Sequence, residues 1–300
     1  MDSQYKMPPR EYVNKIVEFI KKIAEIGRFK EKYLNIMLRD ENIKYYCIAF
    51  THKTYNKNVN YEIFEQLGDL SINKFLVWHA YRKFPQINFS DGHAIAARIR
   101  ITFGSNEKLN IIGEKLGLRS LLLFSAADAQ HGIPLESLTE DVFESFIGAT
   151  EFIFDRCLIR HCGYSFVYNI LEGIFDNPHY VTDFKLDYNI LMDPVTRLKE
   201  LTETPQFKNI YPNQVLEYVN IPVKKYGKNL IQTKVNLKSN DQDGPKILIG
   251  EGTAIVKGKS RPIAALMALN MFESRGLKQI GDKYENLIEA NAGNLEFIIG

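Results

Sequence analysis

Tyr61-Glu62-Ile63-Phe64-Glu65-Gln66-Leu67-Gly68-Asp69-Leu70 decides how this chain is read, because carboxylates recur in it at helical spacing inside an apolar frame. Glu65 and Asp69 stand four residues apart, which puts both on one face of a helix. Downstream, Leu138-Thr139-Glu140-Asp141-Val142-Phe143-Glu144-Ser145-Phe146-Ile147-Gly148-Ala149 repeats the device, with Asp141 and Glu144 three residues apart. Each helix then offers two oxygen ligands in one direction, as a hard divalent cation requires. The arrangement has a cost. Glu62, Glu65 and Asp69 form an acidic stripe, and like charges at such spacings destabilise a helix by about 0.2–0.5 kcal/mol per pair. Lys74 is the only Lys or Arg between Glu62 and Tyr81, so a bound cation is the natural counter-charge. Taken singly, either segment also suits an ordinary amphipathic helix with a solvated acidic face. Together, in their apolar contexts, they favour a site.

These residues carry a resemblance. Glu62-Ile63-Phe64-Glu65-Gln66-Leu67-Gly68-Asp69 resembles the ribonuclease III signature, usually Glu-Arg-Leu-Glu-Phe-Leu-Gly-Asp, and Asp141-Val142-Phe143-Glu144-Ser145-Phe146-Ile147-Gly148 is similar to that family's second acidic motif. Upstream, Thr51-His52-Lys53-Thr54 is similar to the Thr-His-Arg-Ser segment that precedes the signature. Between the motifs, Asp91-Gly92, Ala97-Arg98, Asn106-Glu107-Lys108-Leu109 and Leu116-Gly117-Leu118 follow the family's middle segment, in the same order.

Composition bounds the rest. Three hundred residues, 45% hydrophobic and 25% charged, without an apolar run near 18 residues, read as a globular protein of two domains with no membrane span and no signal peptide at its start. Cys47, Cys157 and Cys162 make neither a disulfide framework nor a zinc pattern, which suits a reducing compartment. From Glu11 to Phe175, segments of 3.6 periodicity alternate with short polar breaks, including Ala126 to Gly132, so this part is expected to be nearly all helical.

After Asn177-Pro178 the texture changes. Asp193-Pro194 is a helix start, followed by β-rich stretches near Gln214 to Val223, Leu230 to Leu237 and Lys246 to Thr253, with turns at 226–229 and 241–244 and a closing helix from about Ser260 to Ser274. The order α-β-β-β-α resembles a double-stranded RNA-binding domain. Between Asp193 and Gly276 stand 13 Lys plus Arg against 8 Asp plus Glu, a surplus of cations in a chain whose net charge is only +2. Lys224 and Lys225 precede one turn, while Lys257, Lys259 and Arg261 stand at the entrance of the last helix, where side-chain cations and free helix N–H groups meet phosphates.

The fold class is therefore an all-α ribonuclease III endonuclease domain followed by an α+β (α-β-β-β-α) double-stranded RNA-binding domain. The expected division is an N-terminal tail and helix over 1–29, a catalytic domain over 30–176, a linker over 177–192, the RNA-binding domain over 193–276 and a tail over 277–300. The resemblance implies an endoribonuclease that cleaves double-stranded RNA, with Glu65, Asp69, Asp141 and Glu144 as Mg²⁺ ligands, Mn²⁺ being the alternative ion. It gives Glu62 and Asp91 supporting roles, Asp91 standing where the family usually has Glu. It further implies a homodimer through the catalytic domain and products with 5′-phosphate and 3′-hydroxyl ends and short 3′ overhangs. Residue usage resembles members from large DNA viruses, which implies a cytoplasmic location in the host cell. Gln66 stands where the family usually has a Phe that packs into the partner subunit. Pro262 intrudes into what is read as the first turn of the last helix, so phosphate contacts there are expected to be thinner. The rival reading is a non-catalytic protein that sequesters duplex RNA, as a silencing suppressor or scaffold would.

Overall fold

The computed structural model describes residues 5–88, 92–125, 138–225, 227–239 and 246–277. The chain divides into two compact units, Met1–Lys185 and Leu186–Gly300.

In the first unit every described element is helical: α1 (Arg10–Ile26), α2 (Glu31–Met37), α3 (Asp40–Ala49), α4 (Glu62–Lys83), α5 (Gly92–Phe103), α6 (Asn106–Leu116), α7 (Leu138–Cys157) and α8 (Gly163–Phe175). Short 3-10 turns fill Pro85–Asn88 and Leu118–Leu121. Helix α7 is the spine. From Leu138 to Thr150 every residue except Asp141 is buried, so this helix is covered on nearly all sides. Phe146 explains how it is held: it stacks on Tyr46 and Phe50 of the preceding segment and meets Phe19 of α1 edge-on at 5.0 Å. Rings in such offset and T-shaped pairs add about 0.5–1.5 kcal/mol beyond their burial.

Helix α4 lies directly against α7 because both carry glycine at the crossing. A Cβ placed on Gly68 would sit 1.7 Å from the Glu144 carbonyl oxygen, and one on Gly148 would sit 2.0 Å from the Phe64 carbonyl oxygen. Only hydrogen fits there. The segment before α4 is pinned as well: His52 N–H donates to the Leu123 carbonyl at 2.9 Å and Leu123 N–H to the Phe50 carbonyl at 2.8 Å, forming a short parallel bridge.

The second unit contains α9 (Tyr188–Leu191), α10 (Pro194–Glu203), α11 (Pro205–Ile210), strands β1 (Gln214–Lys225), β2 (Lys228–Ser239) and β3 (Lys246–Ala254), and α12 (Lys257–Ser274). Asp193 caps α10 by accepting from the N–H groups of Val195 and Thr196, both at 3.0 Å, with Pro194 at the first helical position. The strands form one antiparallel sheet in the order β1-β2-β3. Gln214 pairs with Ser239 and Lys225 with Lys228, closing a hairpin in which Gly227 takes the left-handed conformation, φ 75°. A bulge between Val235 and Asn236 interrupts the β2–β3 register. Leu198, Leu201, Phe207, Val235, Leu237, Ala268 and Phe272 build the core between the helices and the sheet.

Two details differ from the reading of the sequence. Helix α12 begins at Lys257 rather than near Ser260, so Lys257, Lys259 and Arg261 lie within it and Pro262 falls beyond its first turn. Ser260 Oγ meets Thr233 Oγ1 at 2.7 Å in a buried contact that ties this helical turn to β2. Helix α11, opened by Thr204 and Pro205, is an element that the α-β-β-β-α order omits. The breaks expected at Ala126 to Gly132 and 241–244 lie outside the described residues. Among the described residues, no helix is long and apolar enough to cross a membrane.

Candidate active site

Helix α4 supplies Glu62, Glu65 and Asp69, and α7 supplies Glu140, Asp141 and Glu144. Because the helices touch at Gly68 and Gly148, the two acidic faces are driven together against their own repulsion. The electrostatics record this. Glu144, buried at 6% exposure, has its carboxyl pushed up to about 9, first by burial and then by Asp69, Glu140, Glu65 and Asp141. Glu65 is pushed up to about 7 by burial and then by Asp141, Glu62 and Asp69, with Lys53 opposing. Glu140 is likewise pushed up to about 7 by burial, then by Asp141, Glu65 and Asp69, while a hydrogen bond from Asn106 opposes the rise. All four residues expected to hold a cation therefore fall within one field.

Neighbours orient individual carboxylates. Tyr61 OH donates to Asp141 Oδ2 at 2.7 Å, and burial followed by the Asp141 charge holds that phenol far above its ordinary value. Asn73 Nδ2 donates to Asp69 Oδ1 at 2.6 Å and to the Asp69 carbonyl at 2.9 Å, and is itself held by Arg100, whose guanidinium donates to Asn73 Oδ1 at 3.3 Å. Glu62 is exposed and paired with Lys53 at 2.8 Å, so the counter-charge for that end of the stripe comes from the Thr51-to-Thr54 segment and not from Lys74. Lys74 instead lies over the Tyr164 ring at 3.8 Å. Asp91 lies outside the described residues.

The donor set is all oxygen, and the largest charges acting on Glu144 are all negative. Such a cluster fits a hard cation. It is an open one: among the described residues, only His79, Glu172 and Asp176 bring three ligand atoms within 4.8 Å of one another. The carboxylates of α4 and α7 do not form such a group. The His79 group has other partners. Lys83 pairs with Asp176, Arg82 stands 3.6 Å from Glu172, and buried His79 is packed against Phe75 and Phe184. A cavity of about 640 Å³ beside it is lined by Arg28, Asn169, Glu172 and Asp176, and includes none of the α4 or α7 carboxylates.

In the second unit, Lys224 and Lys225 are exposed at the end of β1, and Lys257 and Lys259 are exposed in the first turn of α12. Arg261 is not with them in the same sense. Its guanidinium lies over the Tyr218 ring, 4.2 Å from the centroid, and its Nε is buried.

Glu140, Tyr61 and Asn73 are the residues that reasoning from the sequence missed. For Glu140 a signal existed, since it precedes Glu144 by four and so shares its helical face. Asn73 follows Asp69 by four and so had the same signal, whereas no spacing rule singles out Tyr61, which matters through one oriented hydrogen bond.

No protein-family model matches the chain. Curated relatives do. A protein of Invertebrate iridescent virus 6 is 28% identical over 278 residues, covering 89% of this chain and 91% of that one. A protein of Frog virus 3 (isolate Goorha) is 29% identical over 248 residues, covering 82% of this chain and 60% of that one. Both carry the name "Putative ribonuclease 3". The protein named "Ribonuclease 3" of Mycoplasma mobile is 29% identical over 188 residues, covering 61% of this chain and 66% of that one. Over most of its length the chain is similar to proteins named ribonuclease 3. Against the ribonuclease III signature that it resembles, the chain departs at Ile63 and Gln66, and both of these side chains are exposed on α4.

Proposed function

We propose that this chain is a ribonuclease III-type endoribonuclease that hydrolyses double-stranded RNA, its helical part over 30–176 cutting the duplex and its α+β part over 193–276, a double-stranded RNA-binding domain, holding it, with 177–192 as the connector. The observation that carries the reading is the glycine-locked crossing of α4 and α7, which gathers the carboxylates of both helices into one negatively charged field, answered at its Glu62 end by Lys53.

Glu65, Asp69, Asp141 and Glu144 would hold Mg²⁺, with Mn²⁺ as the alternative, and Glu62 and Asp91 keep supporting roles. When bound, the ion supplies neutralisation of the phosphodiester charge and activation of water. The chain's own residues do the rest. Tyr61 orients Asp141 by donating to Oδ2, and Asn73, backed by Arg100, fixes the Asp69 carboxylate. Glu140 adds negative charge beside Glu144 and raises the cluster's demand for a cation. Burial of Glu144 strengthens every charge interaction it makes.

Lys224, Lys225, Lys257 and Lys259 present cations from β1 and α12 to RNA phosphates, which makes binding salt-sensitive. A-form RNA offers a wide minor groove lined with 2′-hydroxyls, so a domain of this kind holds duplexes by shape. Cleavage would leave 5′-phosphate and 3′-hydroxyl ends with short 3′ overhangs. Cutting both strands calls for two copies of the site, and α4 provides a surface for a homodimer: Ile63, Leu67, Leu70, Val77, Trp78 and Tyr81 are exposed along it at helical spacing. The protein would act in the cytoplasm.

The test is Mg²⁺-dependent cleavage of long duplex RNA by Glu144→Gln and Asp69→Asn variants. Loss of cleavage with retained duplex binding supports the assignment. Undiminished cleavage by both would remove it, and duplex binding without turnover by the unaltered chain would leave the sequestering reading.

A further inference from the structure

His79, near the C-terminal end of α4, carries a nitrogen that the fold leaves unanswered. The residue is buried at 3% exposure, packed against the rings of Phe75 and Phe184, and its Nε2 makes no hydrogen bond. A buried polar atom in that state is a cost that folds normally avoid. Nε2 is nevertheless aimed at oxygen. Asp176 Oδ1 stands 3.3 Å away, and Glu172 completes a trio whose ligand atoms all lie within 4.8 Å of one another. An ion bound tetrahedrally through bonds of about 2.0–2.1 Å holds its ligand atoms about 3.3–3.4 Å apart, so the His79–Asp176 spacing is already that of two ligands on one metal.

The end of α8 makes the same demand. Asp176 is its C-cap, and Glu172 lies in a last turn that contains no basic residue. Carboxylates there meet the negative pole of the helix, so a cation beside them is favoured. Lys83 stands 2.5 Å from Asp176 Oδ1 and Arg82 stands 3.6 Å from Glu172. Both cations belong to exposed side chains, whose pairs hold little energy, and neither gives Nε2 a hydrogen bond. An ion that bonds nitrogen as well as oxygen answers all three groups at once.

The donor set narrows which ion. One imidazole with two carboxylates suits zinc better than magnesium or calcium, which take oxygen alone. A ligating imidazole must be neutral, and burial lowers His79 below the ordinary histidine value, against the pull of Asp176. Glu172 and Asp176 also line the cavity of about 640 Å³ beside α8, so a water from it can fill the fourth position.

We propose that His79, Glu172 and Asp176 form a zinc site, separate from the carboxylates of Glu65, Asp69, Asp141 and Glu144, that staples the C-terminal part of α4 to the end of α8. Lys83 is the resident cation that the metal displaces.

The full chain is titrated with Zn²⁺ by calorimetry in excess Mg²⁺. One Zn²⁺ per chain is expected to bind. Asp176→Asn with Glu172→Gln, at side chains 45% and 39% exposed and therefore tolerant of exchange, should weaken it by about tenfold or more. His79→Gln should do the same, and if that buried variant does not fold, the surface pair decides. Lys83→Met removes the competing ammonium and should tighten binding by about threefold. Glu144→Gln with Asp69→Asn should leave Zn²⁺ affinity unchanged, which separates this site from the nuclease reading. Zn²⁺ should also raise the melting temperature of the wild type and not that of the Asp176→Asn, Glu172→Gln variant. Absence of Zn²⁺ binding in Mg²⁺ overturns the proposal, as does binding that survives the loss of both carboxylates or that disappears with Glu144 and Asp69.

Discussion

Glu144 concentrates the physics of the site in one residue. It is buried in α7 among like charges, and its carboxyl is pushed up to about 9. A carboxyl raised in the fold but ordinary when unfolded binds a proton more tightly in the native state, so stability falls as pH rises from about 4.5 toward that value. Without divalent cation, the melting temperature of the wild type should therefore decline between pH 5 and pH 9, and Glu144→Gln should flatten that slope while abolishing cleavage. Identical slopes in the two proteins would contradict the burial of a strained charge. A divalent ion should reverse the penalty, because it binds the ionised cluster. At 100 times its dissociation constant it stabilises by about 2.7 kcal/mol. Thermal scans should show a larger Mg²⁺-induced rise at pH 8 than at pH 6, since protons compete with the ion at the lower pH. Asn73→Leu tests a positioning role at the same scale. It removes the donor to Asp69 Oδ1 and should lower kcat about tenfold with KM for RNA unchanged.

At the scale of elements, the crossing of α4 and α7 is the feature most sensitive to change. Gly68→Ala would drive a methyl group to 1.7 Å from a backbone carbonyl that cannot yield as a side chain would. The helices must part, which costs about 1–3 kcal/mol or more in overpacking and separates the acidic faces. Denaturant unfolding should register the loss, and cleavage should fall further than the lost stability explains. Gly148→Ala should behave alike, and the double variant should cost less than the sum, because one displacement relieves both clashes. In the second unit, the contact between Thr233 and Ser260 ties the N-terminal turn of α12 to β2. Thr233→Val removes the partner of both Ser260, which keeps its bond to the Lys257 carbonyl, and Asn220, for a loss of about 0.5–1.5 kcal/mol measurable by chemical unfolding.

For the whole molecule, the exposed stripe of α4 makes a prediction about assembly. Trp78→Glu with Leu70→Asp places two charges on that apolar face, so sedimentation should give a dimer for the wild type and a monomer for the variant, and double-strand cleavage should decline with it. Much of the architecture was legible beforehand. Helical periodicity to Phe175, the Asp193-Pro194 cap and three β-rich stretches are local signals, written in residues that neighbour one another along the chain. The acidic pairs were legible for the same reason, as spacings of three and four face one way on any helix. What remained hidden is non-local. That Glu140 joins the cluster, that Lys53 rather than Lys74 answers Glu62, and that Arg261 turns onto Tyr218 all depend on which surfaces pack across tens of residues. The sequence by itself determined the helices, the strands and the direction of each acid. Tertiary packing alone decided that these acids share one field, because two glycines let the backbones touch, and burial, by withdrawing screening water, made their mutual repulsion stronger.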